Sequence, residues 1–234
     1  MKNWMRIAIG LVVVGAVVAV GAYAWVTRPL EEASENVQAN TQQLEAGTDE
    51  AVVFRISQEQ STASYIIEEV LVGRGDVTVV GTTNEVAGDI LVDFGDVSAS
   101  EVGQIRINAR TFQTDDNRRD NAVGRSILRS ENDANEFIEF VPTALNGLPE
   151  TVELGDTIEF QIIGDLTVAG ETREVTFATT ATYTSDTIIT GSAEVTITYA
   201  DFNINIPNVP IVASVEDTVI LRIEFLAERV ADTA

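Results

Sequence analysis

The chain predicts an antiparallel all-β domain, a sandwich or a barrel, on three observations. Ile158, Phe160, Ile162, Gly164 and Leu166 fall on one face, with Glu159, Gln161, Asp165 and Thr167 mostly on the other, and a period of two marks a half-buried strand. Ala169-Gly170-Glu171 interrupts that run, because glycine takes the positive φ of a tight reversal. A strand rich in Thr, Val and Phe follows from Arg173, so the centre of the chain is a long hairpin. Further strand-like segments recur at short spacing with turn signals between them, the pattern of sandwiches and barrels.

The first element is of another kind. Lys2 and Arg6 precede residues 7–26, which carry no charge and are about as long as a helix that crosses a bilayer. Trp4 at one end and Tyr23 and Trp25 at the other suit the interfacial aromatic belts. Basic residues before the span and acidic ones after Arg28 put the N-terminus in the cytoplasm and the rest outside. Ala22-Tyr23-Ala24 fits a signal-peptide cleavage pattern, but the apolar run continues past it, so a retained single-pass anchor over 1–28 is expected. If the segment is cleaved instead, the product is periplasmic or secreted. Residues 29–50, with Glu31, Glu32, Glu35, Glu45, Asp49 and Glu50 among Gln, Asn, Ala and Ser, read as a solvated acidic linker. The domain proper is 51–234.

Within it the expected strands are 53–56, 63–72, 77–82, 85–94, 104–110, 137–144, the two arms of the central hairpin, 187–199 and 216–227. Ile90, Val92 and Phe94 oppose Asp89, Leu91 and Asp93, and Val219, Leu221, Ile223 and Phe225 are in phase. In 104–110, Ile105, Ile107 and Ala109 oppose Gln104, Arg106, Asn108 and Arg110. Residues 114–130 do not alternate; Val123 and Ile127 sit four apart, and Asp116 or Asn117 can cap a short helix there.

Composition excludes much. The 234 residues contain neither histidine nor cysteine, which removes imidazole acid–base chemistry, His-ligated zinc, thiol nucleophiles and disulfides. A net charge of −23 repels nucleic acid and anionic membrane surfaces. Against that background, six of the fourteen basic residues fall together at Arg106, Arg110, Arg118, Arg119, Arg125 and Arg129. They read either as partners of Asp115, Asp116, Asp120 and Glu131 that fasten the insert, or as an anion-binding rim near a cavity mouth.

Four stretches resemble the YceI-like family. Thr114 with Arg118-Arg119-Asp120-Asn121 is similar to its T…RD-N/H region, and Phe137-Ile138-Glu139-Phe140 to the phenylalanine-bearing strand that follows. Gly164-Asp165-Leu166-Thr167-Val168-Ala169-Gly170 with Glu174-Val175 resembles its G-D-L-T-x-x-G hairpin. Tyr199-Ala200-Asp201-Phe202 resembles its late R-x-D-F-G stretch, with Tyr and Asn in place of Arg and Gly. The family's usual histidines are missing, and Ala122-Val123 stands where His-Leu is common, so no role for imidazole carries over. The resemblance implies a lipocalin-like barrel of about eight strands around an elongated apolar cavity that binds polyisoprenoid or other lipid.

The expected cavity wall is Phe112, Phe137, Phe140, Phe160, Ile162, Leu166, Phe177, Phe202 and Phe225. Arg118, Arg119, Asp120 and Asn121 are expected at the mouth, near a ligand head group or pyrophosphate. Asp115-Asp116 is too close in sequence to converge on one substrate. Residues 131–136 offer alternate oxygen ligands of the calcium-binding kind but lack the turn glycine and flanking helices, so no metal site is expected. Arg74-Gly75-Asp76, an adhesion-type tripeptide, reads as a strand connector. The expectation is a non-enzymatic, exported, membrane-tethered lipid-binding protein without cofactor, with a homodimer left open. The alternative is a structural or adhesion barrel whose core is filled by its own side chains.

Overall fold

The computed structural model describes residues 34–39, 41–47, 50–206 and 212–231. The expected anchor, 1–28, lies outside them; among the described residues no helix is long and apolar enough to cross a membrane. The strands are β1 (Ala51–Ile56), β2 (Thr62–Leu71), β3 (Gly75–Thr83), β4 (Val86–Ala87), β5 (Asp89–Asp93), β6 (Glu101–Val102), β7 (Ile105–Asn108), β8 (Phe137–Asn146), β9 (Thr157–Val168), β10 (Glu171–Ser185), β11 (Ile188–Thr198), β12 (Val212–Val215) and β13 (Thr218–Arg229).

The central hairpin forms as the alternation predicts. β9 and β10 pair without slippage from Val168↔Glu171 to Thr157↔Thr182. Its turn places Ala169 at φ 52° and Gly170 at φ 85°, the pair of positive angles that a two-residue hairpin turn requires. Glycine supplies one at no steric cost; Ala169 is held by Arg129, whose guanidinium donates to its carbonyl at 2.6 Å.

All pairings are antiparallel, in the order β7–β8–β9–β10–β11–β13–β1–β5. β4 leads directly into β5 and pairs back onto β7 through Val86↔Ile107 and Ala87↔Arg106, so the strand order returns on itself and the sheet curls into a barrel. The β2–β3 hairpin continues this wall, β2 joining β13 through residues such as Ala63↔Ile223 and Tyr65↔Leu221. The segment expected as one strand over 85–94 is thus two short ones, because it changes partner at Gly88. The expected strands omitted β6 and β12, each too short to show a period.

The insert is helical, as its lack of alternation implied. α1 (Asn117–Ala122) is capped by Asp116, whose carboxylate accepts from the Arg118 backbone N–H at 2.8 Å. A π-turn over Val123–Ile127 follows and packs Val123 and Leu128 into the core.

The acidic segment departs from expectation. Over its described part it lies against the barrel instead of standing in solvent: Val37 is 1% exposed and Thr41 is buried. Ser34 donates through its backbone N–H to Glu136 at 2.6 Å, Glu35 pairs with Arg106 at 3.2 Å, and the Leu44 N–H reaches Asp89 at 3.2 Å. This strap packs on the outward side of β7, where Glu35 meets Arg106. Arg106, Asn108 and Arg110 are buried although they alternate as a solvent face should, Asn108 against Glu85 and Arg110 against Asp133 and Glu136.

Candidate functional site: an apolar cavity inside the barrel

Strand parity decides what points inward. On β9, Ile158, Phe160, Ile162 and Leu166 share the inner face; on β10, Phe177, Thr179, Ala181 and Tyr183 do; on β13, Leu221, Ile223 and Phe225. These walls enclose a cavity of about 140 Å³ lined almost wholly by aliphatic and aromatic side chains. A packed core has few voids larger than one water, which takes about 10–15 Å³ on this kind of measure, so this interior is hollow rather than filled.

Small residues set beneath large ones create the space. Gly191 faces Phe225 across β11 and β13, and Gly164 lies under the ring of Phe140. A β-carbon on Gly164 would fall 2.5 Å from the Val141 carbonyl oxygen and 2.8 Å from the Phe140 ring. Gly164→Ala is therefore expected to displace that ring and to cost about 1–3 kcal/mol, as overpacked substitutions do, read from the denaturant midpoint at unchanged m-value. Phe140 in turn meets Phe177 edge to face, with centroids 4.9 Å apart.

Of the residues expected in the wall, Phe112, Phe140, Phe160, Ile162, Leu166, Phe177 and Phe225 line the cavity. Two do not. Phe137 is three positions from Phe140 on the same strand, so it takes the outer face, where the Arg106 guanidinium sits 3.9 Å above its ring. Phe202 lies in a 3-10 turn after β11 and is 1% exposed within the core; it plugs the barrel end instead of lining its bore. Sequence reasoning missed Phe94, Val97, Leu148, Val152 and Tyr183, which bring the cavity to the loops at the other end. The first and last were legible as in-phase residues of strands; the rest lie in loops without a period.

The arginine-rich cluster is not where a mouth was expected. No residue of 114–136 lines the cavity. The insert sits by the β9–β10 turn, held through Arg129, whereas the cavity extends to the opposite end of those strands. The side chains serve to fasten the insert. Arg119 pairs with Asp115 and reaches Glu69 of β2 at 3.4 Å. Asp120 accepts from the Thr114 N–H at 2.8 Å and hydroxyl at 2.6 Å. Asn121 donates to the Asn117 carbonyl, Arg125 pairs with Glu131 at 2.8 Å, and Arg118 is exposed. Glu131, Asp133 and Glu136 are each paired with arginine, so the calcium-like spacing of 131–136 is occupied by ion pairs. Among the described residues no group of three or more acidic side chains is placed to hold a metal.

Beneath the cavity, at the insert end, two buried tyrosine hydroxyls, Tyr65 and Tyr199, have no hydrogen-bond partner among the described residues. Burial pushes the Tyr65 hydroxyl well above its ordinary range, with Asp120 adding to the effect. Burial, then Glu69, pushes Tyr199 up to about 12. A folded pKa above the unfolded value of about 10 gives stability that is whole below pH 10 and is lost as pH rises towards and past the folded value. Alkaline unfolding in that window is the expected result, with tyrosinate absorbance rising together with loss of structure. Tyr199→Phe should shift the loss to higher pH.

Fold and site together define a class: antiparallel barrels that enclose an elongated apolar cavity. The YceI-like domain profile matches residues 54–227, most of the chain, and the protein belongs to that family. No curated protein matches it in sequence. Among solved structures, a polyisoprenoid binding domain from Saccharophagus degradans, described as implicated in plant cell wall breakdown, is similar with a TM-score of 0.57 at 11% identity, covering 76% of this chain and 99% of that one. BcnA of Burkholderia cenocepacia gives 0.56 at 17% identity, over 73% and 98%. The YceI protein of Campylobacter jejuni gives 0.51 at 16%, over 62% and 82%. At such identities the likeness establishes the fold.

Proposed function

We propose that this protein holds a long apolar lipid, of polyisoprenoid, quinone or fatty-acyl type, inside its barrel, and that it does so outside the cytoplasm without catalysing a reaction. The observation that carries this reading is the hollow, apolar cavity. The family match and the polyisoprenoid binding domain among its structural neighbours support it. Transfer of each CH₂ from water is worth about 0.8 kcal/mol, so every methylene that the cavity takes in adds driving force, less the cost of ordering the chain.

A tether fits the same reading. If residues 7–26 span the bilayer, docking of the strap from Ser34 onward leaves about seven residues between span and barrel. At about 3.3–3.6 Å per residue they reach no more than about 25 Å, which keeps the barrel beside the membrane where such lipids reside.

Native mass spectrometry of the full chain, exported from a bacterial host and freed of detergent in the gas phase, tests this. A bound species that extracts into organic solvent with a polyprenyl or acyl mass is the expected result. An unliganded mass, unchanged after incubation with polyprenols and quinones, would refute lipid binding in favour of a purely structural barrel.

A further inference from the structure

In the apolar wall one polar side chain stands apart. Thr179 lies on the inner face of β10 between Phe177 and Ala181, opposite Phe160 on β9 and Ala193 on β11. It is 4% exposed, it lines the cavity, and its hydroxyl has no hydrogen-bond partner among the described residues. The hydroxyl of Tyr183, at the loop end of β10, is not among the buried groups without a partner, and the four remaining polar lining residues are accounted for. Ser64 donates to the Arg222 carbonyl, Ser100 accepts from the Asp93 N–H, Arg222 is paired with Glu194 at 2.6 Å, and Glu101 is exposed to solvent. Buried hydroxyls are ordinarily bonded, and this one can donate one bond and accept two.

We propose that Thr179 is the polar recognition point of the cavity and that it binds a neutral oxygen-bearing group of the lipid: an alcohol, ketone, ester or amide. This rests on the reading that the cavity holds a long apolar chain, and adds which end of that chain enters. Thr179 is four residues along β10 from Tyr183 at the loop end, about 13 Å at the usual rise, so the polar group lies inside the barrel and not at its rim. It is neutral because, among the described residues, Arg222 is the one cation that lines the wall, and its charge is balanced by Glu194. A diphosphate or carboxylate drawn that deep would be a buried charge without a partner, which is strongly disfavoured. The arginines of the insert, remote from the cavity, do not change this.

The test titrates the full-length protein, stripped of lipid, with a long-chain polyprenol, the hydrocarbon of matched carbon number and the matched diphosphate, each followed by native mass spectrometry. Wild type is expected to bind the alcohol about tenfold more tightly than the hydrocarbon, the gain from one net hydrogen bond, with the diphosphate weakest. Thr179→Val should bring the alcohol-to-hydrocarbon ratio to about one with hydrocarbon binding intact, and Thr179→Ser should retain the preference. Equal binding of alcohol and hydrocarbon by wild type, an unchanged ratio in Thr179→Val, or tightest binding of the diphosphate would each overturn the polar recognition point and leave the cavity reading standing. Failure of wild type to bind any of the three would overturn both.

Discussion

Arg110→Leu is expected to lower the stability of the protein by about 3–5 kcal/mol, the usual cost of stranding one partner of a buried ion pair. The guanidinium side chain is 2% exposed and contacts Glu136, itself 1% exposed, at 3.1 Å. It also pairs with Asp133 at 2.7 Å and donates through Nε to the Ser130 carbonyl at 2.7 Å. Glu136 in turn accepts from the backbone N–H of Ser34 and from its hydroxyl. One arginine thus joins the turn after β7 to the end of the insert and, through Glu136, to the strap. The double variant Arg110→Leu, Glu136→Leu should recover much of the loss, since it removes both charges together. Chemical denaturation of the two single variants and the double closes the cycle. A loss below about 1 kcal/mol for Arg110→Leu would mean that the network is as weak as an exposed pair.

That network explains why part of this protein was legible in its sequence and part was not. Periodicity revealed β9 and β13 because each has one face on the cavity and one on solvent, and the turn at Gly170 with the Thr-, Val- and Phe-rich run after it revealed β10. Periodicity failed at Arg106 and Arg110, which alternate like solvent-facing residues and are nevertheless buried, Arg106 against the strap and Arg110 against the end of the insert. Nothing in residues 29–50 taken alone announces that contact: the strap's acidic residues read as solvated, and the partners of Glu35 and Ser34 lie about seventy and a hundred positions away. The gathering of arginines was visible in sequence; its meaning depended on which carboxylates the fold brings near. Once Glu69, Asp115, Glu131, Asp133 and Glu136 are in place, the fastening role is the one that holds.

The candidate site follows the same logic. Aromatic content alone could nominate Phe137 alongside Phe140, but a period of two forbids both from facing the same side of β8, and register settled which one does. Thr179 was invisible as a site residue because threonine is common in strands; only the absence of a partner around its buried hydroxyl distinguishes it from its neighbours. Gly164 and Gly191 carried a signal that composition could not decode. A glycine inside a strand marks a close approach, here by an aromatic ring whose position shapes the bore.

Ala193→Phe is expected to abolish lipid retention while leaving the lipid-free protein about as stable as wild type. Ala193 is buried on the inner face of β11, between Thr179 of β10 and Ile223 of β13, and its methyl group borders the cavity. In a hollow barrel the added ring enters empty space: burying it contributes up to about 1.5–3 kcal/mol, which offsets local repacking. In a barrel already filled by its own side chains the same ring has nowhere to go, and overpacking costs about 1–3 kcal/mol. The two readings therefore differ in the sign of the stability change as well as in lipid content. Organic extraction of the purified variant should yield at least tenfold less lipid than wild type, with the denaturant midpoint of lipid-free material unchanged or raised. A marked fall in stability with lipid content unaltered would place the ligand, if any, elsewhere and return the interior to ordinary core packing.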